Sequence, residues 1–366
     1  MQREGVKAAP AHARTPAAGT GRPGQNDLAF RHHASRNGWC MSLSVLRLGA
    51  VCLLGIALQT TACLAQAYPE RVVRIVNPFP PGGSVDVMAR LLAQKLSENV
   101  NQQVIVENRA GAGGNTGAES VARSEPDGYT LLFTAPGPLV INQTLYTKGL
   151  PYDPARDFAP VALFAIAPIV LMVHPAVDAQ NVQELIALAR KQPGTISFAS
   201  AGNGSTNHLA GEMFKSMANI EILHVPYRGA GPAMNDLIGG HVQMFFDLLP
   251  VSLPQIKAGK VRALGNAGAK RPAALPDLPT IAEQGLPGFD ASSWVGLVAP
   301  AKTPAPVLAK LADDVTQVLK APDVVGRIRE LGSEPGHVFG PAFGAFMQDE
   351  TAKWAKVIRA SGAKAD

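Results

Sequence analysis

The sequence predicts an α/β fold of two lobes, with parallel-rich sheets flanked by helices and a ligand cleft at the hinge. Three observations predict it. Short β-branched or apolar runs alternate with amphipathic helical runs from residue 68 onward, the pattern of sheets covered on both faces by helices. Glycine-rich turns recur where a strand-like run hands over to a helical one, and ligands in such folds sit beyond the carboxyl ends of the strands. Two apolar, proline-bearing segments, 158–175 and 276–289, shift the composition where the chain would pass between lobes. Two such crossovers place 68–165 and 290–366 in lobe 1 and 166–289 in lobe 2, a connection that permits rigid-body closure.

Taken in order, strand-like runs fall at 72–77, 103–107, 129–134, 196–199, 221–225, 242–247, 261–264 and 294–298. Between them, Val87, Met88, Leu91, Leu92 and Leu96, and later Leu185, Ile186, Leu188 and Ala189, recur at helical spacing. The C-terminal part reads as plain helices over 304–320 and 341–360.

Residues 1–40 are rich in Arg, Gly, Ala and Pro without apolar periodicity, so they read as a non-structural leader, with Met41 the true start. Residues 41–67 read as a signal peptide. Arg47 is the positive end, 48–64 the apolar stretch, and Ala65-Gln66-Ala67 the small-residue exit. Gln59, Thr60 and Thr61 interrupt the apolar run and no basic flank follows it, which disfavours a membrane anchor. Thr60, where lipoprotein signals usually carry Leu, disfavours acylation at Cys63. The expectation is export to the periplasm with cleavage after Ala67.

Export would change the bulk properties. The chain carries 33 Lys and Arg against 28 Asp and Glu, a net charge of +5. Seven of the basic and two of the acidic residues precede residue 68, leaving 26 of each. A neutral remainder offers no electrostatic argument for nucleic acid or an anionic membrane. Cys40, Cys52 and Cys63 all precede residue 68 as well, which excludes disulfides, thiolate metal sites and Cys nucleophiles from the mature part. His174, His208, His224, His241 and His337 show no metal-ligand spacing, so neither a metal nor a cofactor is expected.

Three loops carry the candidate site. In RIVNPFPPGGSVDVMAR, residues 74–90, a β-branched run stops at Asn77, and Pro78, Pro80 and Pro81 cannot continue a ladder. Gly82 and Gly83 allow close backbone approach, and a helix starts at Ser84 with Asp86 in its first turn. The free N–H groups of that helix start suit a carboxylate or phosphate. The second loop holds Gly111, Gly113, Gly114 and Gly117. Thr116 stands where a dinucleotide fingerprint needs glycine, and no Walker lysine follows. The third runs from Ser200 through Gly202 and Gly204 to a helix that Ser205 or Thr206 would cap. Ser205 and His208 lack the nucleophile-elbow spacing, so a capping serine with a histidine one turn on is the favoured reading.

Thr134 and Ala135, Tyr227 and Arg228, and Asp247 each lie at a strand end. They join Phe79, Gly82, Gly83, Ser84, Asp86, Ser200, Gly202, Gly204, Ser205, Thr206 and His208 as candidate ligand-binding residues, none of them catalytic. Arg109 and Arg228 stand where they could meet an anion or form ion pairs. A carboxylate at Asp247 is costly to bury unless paired or facing a cleft, so it is a candidate for a ligand amine or a fixed water.

Together these stretches resemble the tripartite tricarboxylate transporter receptors, also called Bug proteins. The matching residues are Pro78-Phe79-Pro80-Pro81-Gly82-Gly83 with Asp86 and Ala89-Arg90, then Glu107-Asn108-Arg109 ahead of Gly111-Ala112-Gly113-Gly114-Asn115. Pro126-Asp127-Gly128-Tyr129-Thr130, Gly202 and Gly204-Ser205 with His208-Leu209-Ala210-Gly211-Glu212, Val225-Pro226-Tyr227-Arg228-Gly229 and Phe246-Asp247 complete an ordered set across 68–366. Ala110 stands where Pro is common in that family, and Asn266 and Gly268 where hydroxyls often precede Lys270-Arg271.

The resemblance implies a type II periplasmic binding fold in which the first and third loops grip a carboxylate through backbone amides, hydroxyls and bridging waters. It implies a monomeric, non-enzymatic solute receptor. Its partners would be a small organic acid (a di- or tricarboxylate, an acidic amino acid or an aromatic acid) and the membrane subunits of a transporter, with no nucleic acid. A sensory receptor signalling to a membrane protein is the alternative, and an exported hydrolase using Ser205 and His208 a distant third.

Overall fold

Val73–Asn77 forms the first strand, β1, buried at every position except Arg74 because helices cover both faces of its sheet. The computed structural model describes residues 68–365, so the expected leader at 1–40 and signal peptide at 41–67 lie outside the described residues. After β1, Ser84–Val100 forms α1. Its Val85, Met88, Ala89, Leu92, Ala93 and Leu96 repeat at i, i+3 and i+4 and are buried. The helix ends where Asn101 turns left-handed at φ 50°. Next come β2 (Val104–Asn108), α2 (Asn115–Ala122), β3 (Thr130–Thr134), a π-turn at Gly137–Ile141 and α3 (Asn142–Leu145).

The middle of the chain runs β4 (Phe158–Ala167), β5 (Ile169–Val173), α4 (Val182–Lys191), β6 (Ser197–Ser200), α5 (Thr206–Ala218), β7 (Leu223–Pro226) and α6 (Ala230–Ile238). It continues through β8 (Met244–Leu248), α7 (Leu249–Lys257) and β9 (Arg262–Asn266). The last part is β10 (Ser293–Pro300), α8 (Ala305–Lys320), α9 (Pro322–Glu330), β11 (Glu334–Phe339) and α10 (Gly340–Ser361).

Two sheets organise the two lobes. One has the order β11-β4-β10-β3-β1-β2, the other β7-β6-β8-β5-β9. Both are mixed. The pairs β1–β2, β1–β3, β6–β7 and β6–β8 are parallel, whereas β10 runs against β3 and β4, β11 against β4, and β5 against β8 and β9. The parallel pairs are those whose crossovers carry a helix, and the returning strands close each sheet antiparallel.

The chain leaves the first sheet at Pro168, between β4 and β5, and returns to it over Asp290–Ser292. The run at 158–175, read as a connector, is therefore largely two buried strands. The segment at 276–289 folds back on β9, where Asn266 N–H donates to the Pro279 carbonyl and Ile281 N–H to the Asn266 carbonyl. Beyond β10, α8 and α10 are the helices expected at 304–320 and 341–360, and α9 and β11 lie between them.

One core cluster runs through both sheets and joins Val76, Phe198, Phe246, Trp294 and Phe343. Within it the indole N–H groups of Trp294 and Trp354 both donate to Glu350 Oε2, at 3.0 and 3.1 Å, giving a buried carboxylate the donors that burial demands.

Candidate functional site

Four α-helices present their N-caps to one cavity. Gly83 caps α1, Ser205 α5, Gly229 α6 and Leu248 α7, and all four line the same space. The local sequence dictates each start. Gly83 follows a Pro-Pro-Gly turn. Gly229 adopts φ 113°, a conformation that disfavours side chains. Leu248 ends a strand immediately before the helix with Pro250 in its first turn. No side chain caps α1, α6 or α7. The first-turn N–H groups of Ser84, Val85 and Asp86 in α1 and of Ala230 and Gly231 in α6 thus lack an intrahelical or capping side-chain acceptor. In α7, by contrast, the Leu249 N–H donates to the Pro168 carbonyl and Pro250 has none. The helix dipoles add positive potential at the same point.

The cavity, of about 40 Å³, is further walled by Phe79, Pro80, Ser84, Val85, Asp86, Ala135, Gly137, Ala201, Thr206, Asn207 and Ala230. No Lys, Arg or His is among its lining residues. Its volume is on the scale of a few water-sized groups, which admits a carboxylate and a short chain but no dinucleotide. A larger chamber of about 370 Å³ adjoins it. Phe79, Pro80, Ala201 and Gly229 border both spaces. Gly111, Gly113, Gly114, Gly202, Tyr227 and Arg228 line only the outer one.

Asp86, the one ionisable residue in the inner wall, does not leave its charge free. Oδ2 accepts from the Gly82 N–H at 3.0 Å and from Arg90 Nε at 2.9 Å, and Oδ1 accepts from Asn108 Nδ2 at 2.8 Å. Burial pushes its pKa up, but the bonds from Arg90, Gly82 and Asn108 outweigh that and hold it below the usual carboxylate value. The carboxylate therefore shapes the first loop. Asn77 supports the same turn by accepting from the Phe79 N–H.

Seven of the expected residues line the inner cavity: Phe79, Gly83, Ser84, Asp86, Ala135, Ser205 and Thr206. Gly202, Tyr227 and Arg228 line the outer chamber instead. Arg228 has no ion pair among the described residues, whereas Arg109 pairs with Glu107 at 3.0 Å. The rest stand behind the wall. Gly82 spends its N–H on Asp86. The Thr134 hydroxyl donates to the Ala135 carbonyl. Ser200 Oγ lies 2.6 Å from His224 Nε2 and accepts from the Gly202 N–H, so it braces the third loop.

Gly204 directs its N–H to His208 Nδ1. His208 stacks on His224 at 4.2 Å between ring centroids, and burial drives their pKa values down to about 3 and about 4. Ser205 Oγ accepts from the His208 N–H and donates to the Gly202 carbonyl. Its hydroxyl makes no bond to the His208 ring, and the capping reading describes it.

Asp247 also stands behind the wall. It is fully buried and outside the cavity lining. Oδ1 accepts from Asn207 Nδ2 and Oδ2 from Ser252 Oγ, both at 3.0 Å. Both carboxylate oxygens thus accept from residues that support the wall. Its neighbour Asn207 occupies the wall in its place. Pro80, Val85, Gly137, Ala201, Asn207, Gly229, Ala230 and Leu248 are the lining residues absent from the sequence-based set. Gly229 and Leu248 were findable as residues joining a strand end to a helix start. Nothing local in the sequence points to Gly137.

Comparison with known proteins places this geometry among relatives. The profile of the tripartite tricarboxylate transporter family receptors matches residues 88–363. Protein BugT of Bordetella pertussis is 37% identical over 327 residues, 88% of this chain and 99% of that protein. A UPF0065 protein from the tcbD-tcbE intergenic region of Pseudomonas sp. (strain P51) is 41% identical over 309 residues, covering 83% and 91%. Among solved structures, Rpa4515 of R. palustris with adipate aligns at TM-score 0.79 and 38% identity over 81% of this chain and 99% of that one. MatC (Rpa3494) of Rhodopseudomonas palustris with bound malate aligns at TM-score 0.76 and 33% identity over 80% and 100%. The periplasmic binding protein BugD aligns at TM-score 0.76 and 35% identity over 81% and 99%.

Proposed function

The chain belongs to the tripartite tricarboxylate transporter receptor family, periplasmic solute receptors, and from that premise we propose that it captures a small aliphatic carboxylate and delivers it to a tripartite tricarboxylate-type membrane transporter. The lobe built on the six-stranded sheet is one jaw of this receptor and the lobe built on the five-stranded sheet the other. The observation that carries the reading is the meeting of four helix N-caps, Gly83, Ser205, Gly229 and Leu248, in one cavity without a basic side chain.

A carboxylate there takes charge-assisted bonds from helix-start N–H groups, each worth about 1.5–3 kcal/mol. Three or four of them, less desolvation and closure, reach the roughly 8 kcal/mol of micromolar binding. Nothing in that ledger calls for catalysis, and Ser205 is engaged as a helix cap. The relatives solved with adipate and malate support a dicarboxylate as the first class to try.

A thermal-shift screen of the purified protein against C4–C6 dicarboxylates, acidic amino acids, aromatic acids and matched neutral amides tests this. Stabilisation of about 2.7 kcal/mol at 100 times the dissociation constant is expected from one subset of acids and from no amide. A flat response to every acid would count against carboxylate capture.

A further inference from the structure

At three points the segments that meet across the cleft do so through glycine. A Cβ on Gly113, ahead of α2, would sit 2.4 Å from the Asn203 carbonyl oxygen of the third loop. One on Gly137 would sit 2.9 Å from the Gly204 carbonyl oxygen, and one on Gly204 would sit 2.3 Å from Asn142 Oδ1. Gly113, Gly137 and Asn142 belong to segments that feed the six-stranded sheet, Asn203 and Gly204 to one that feeds the five-stranded sheet. The approach at these three points exists because no side chain intervenes.

Asn142 adds an independent observation. It is fully buried, and Nδ2 donates to the Gly113 carbonyl at 3.2 Å and to Asn115 Oδ1 at 2.6 Å. Those two acceptors fix which way the amide points. Its Oδ1 is therefore left against Gly204 without a donor. An acceptor withdrawn from water and given no partner is unfavourable. Separation of the lobes lifts Gly204 away and readmits water to Oδ1, so opening relieves this penalty at the expense of cross-cleft bonds such as that from Ser84 Oγ to the Leu248 carbonyl.

We infer that Gly113, Gly137, Gly204 and Asn142 form a closure seam that makes lobe contact dependent on ligand. The glycines let the two backbones meet, and the Asn142 oxygen penalises that meeting until a bound ligand offsets it. The inference rests on the receptor reading of the cleft and names the residues that govern its affinity from beside the ligand.

Gly137 isolates the seam from backbone strain. Its φ lies outside the left-handed region, and the one tight contact of its Cβ is with the opposing segment. Gly326 in α9, whose Cβ would meet nothing within 4 Å, is the control. The experiment combines calorimetric titration with small-angle scattering, using an acid that stabilises the parent protein. The Gly137→Ala protein should melt like the parent without ligand, bind about tenfold more weakly or worse, and fail to contract when acid is added. Gly326→Ala should behave as the parent.

Parental contraction of Gly137→Ala at saturating acid overturns the seam and leaves the receptor reading standing whatever its affinity, because Gly137 also lines the inner cavity and its methyl can weaken binding directly. If no acid binds the parent, the receptor reading falls, and the ligand-free radius of Asn142→Leu decides the seam. Asn142→Leu reads the other half and holds even if Gly137→Ala does not fold. Removal of the orphan oxygen should shift the ligand-free radius toward the closed value, and an unchanged or larger radius overturns the role of Asn142.

Discussion

Asn207 Nδ2 donates at 3.0 Å to Asp247 Oδ1, so a residue of the cavity wall hangs from a fully buried carboxylate behind it. The same Nδ2 donates to the Phe246 carbonyl at 2.7 Å. The N-terminus of α5 is thereby tied to the end of β8, the strand that leads into Leu248 and α7. Two of the four helix starts at the cavity share this buried anchor.

Burial raises the Asp247 pKa to about 7 from an ordinary 3.8, against the opposing bonds from Leu248, Ser252 and Asn207. The folded state then binds more protons than the unfolded one between pH ~4 and ~7, and stability attributable to this group falls as pH rises through that window. Asp247→Asn removes the titration while keeping the shape. The difference in unfolding free energy, variant minus parent, should climb by a few kcal/mol from pH 4 to pH 8 in urea melts. A flat difference would show that Asp247 titrates normally.

Asp86 works in the opposite direction. Its lowered pKa means that the stability it contributes is present above pH ~4 and lost as pH falls through the folded value. Arg90 is largely exposed, so its share of the pairing is screened and small. The bonds to the Gly82 N–H and Asn108 carry more. Asp86→Ala should cost about 2–3 kcal/mol at pH 7 and weaken acid binding by loosening the first loop. Asp86→Asn, which keeps an acceptor, should lose less, and equal losses in the two variants would contradict this account.

Gly211 in α5 lies where a Cβ would come 2.2 Å from the Phe198 ring on β6. That close approach seats α5 on its sheet and so sets the direction of the helix end at the cavity. Gly211→Ala should destabilise the fold by about 1–3 kcal/mol through overpacking, even though alanine favours helices. A thermal melt decides it, and a rise in melting temperature would show that Phe198 yields without cost.

The strands that were legible in the sequence are β-branched or aromatic runs bounded by Gly or Pro, found to within two residues at each end. β4 and β5 were not legible because only Pro168 divides them, and a long apolar stretch spanning two sheets looks like a connector. β11 contains Pro335 and Gly336, residues tolerated there because it lies at the sheet edge. At the candidate site, helix starts marked by glycine or serine could be read locally. Gly137 could not, since its place at the cavity depends on the opposing lobe. For Asp247, sequence shows a carboxylate at a strand end but not the Asn207 and Ser252 donors that enclose it.

Ser205 separates a receptor from a hydrolase most directly. Its hydroxyl caps α5 by accepting from the His208 N–H at 3.3 Å and donates to the Gly202 carbonyl at 2.7 Å. The stacked His208 ring, with its pKa driven down to about 3 by burial, directs Nδ1 to the Gly204 N–H. Ser205→Ala should therefore cost about 1 kcal/mol of stability from the lost cap and weaken acid binding several-fold as the third loop relaxes. Ser205→Thr, which keeps the capping oxygen, should restore most of both. Turnover of an ester panel by the parent that vanished in Ser205→Ala would overturn this account, because a capping residue has no reaction to lose.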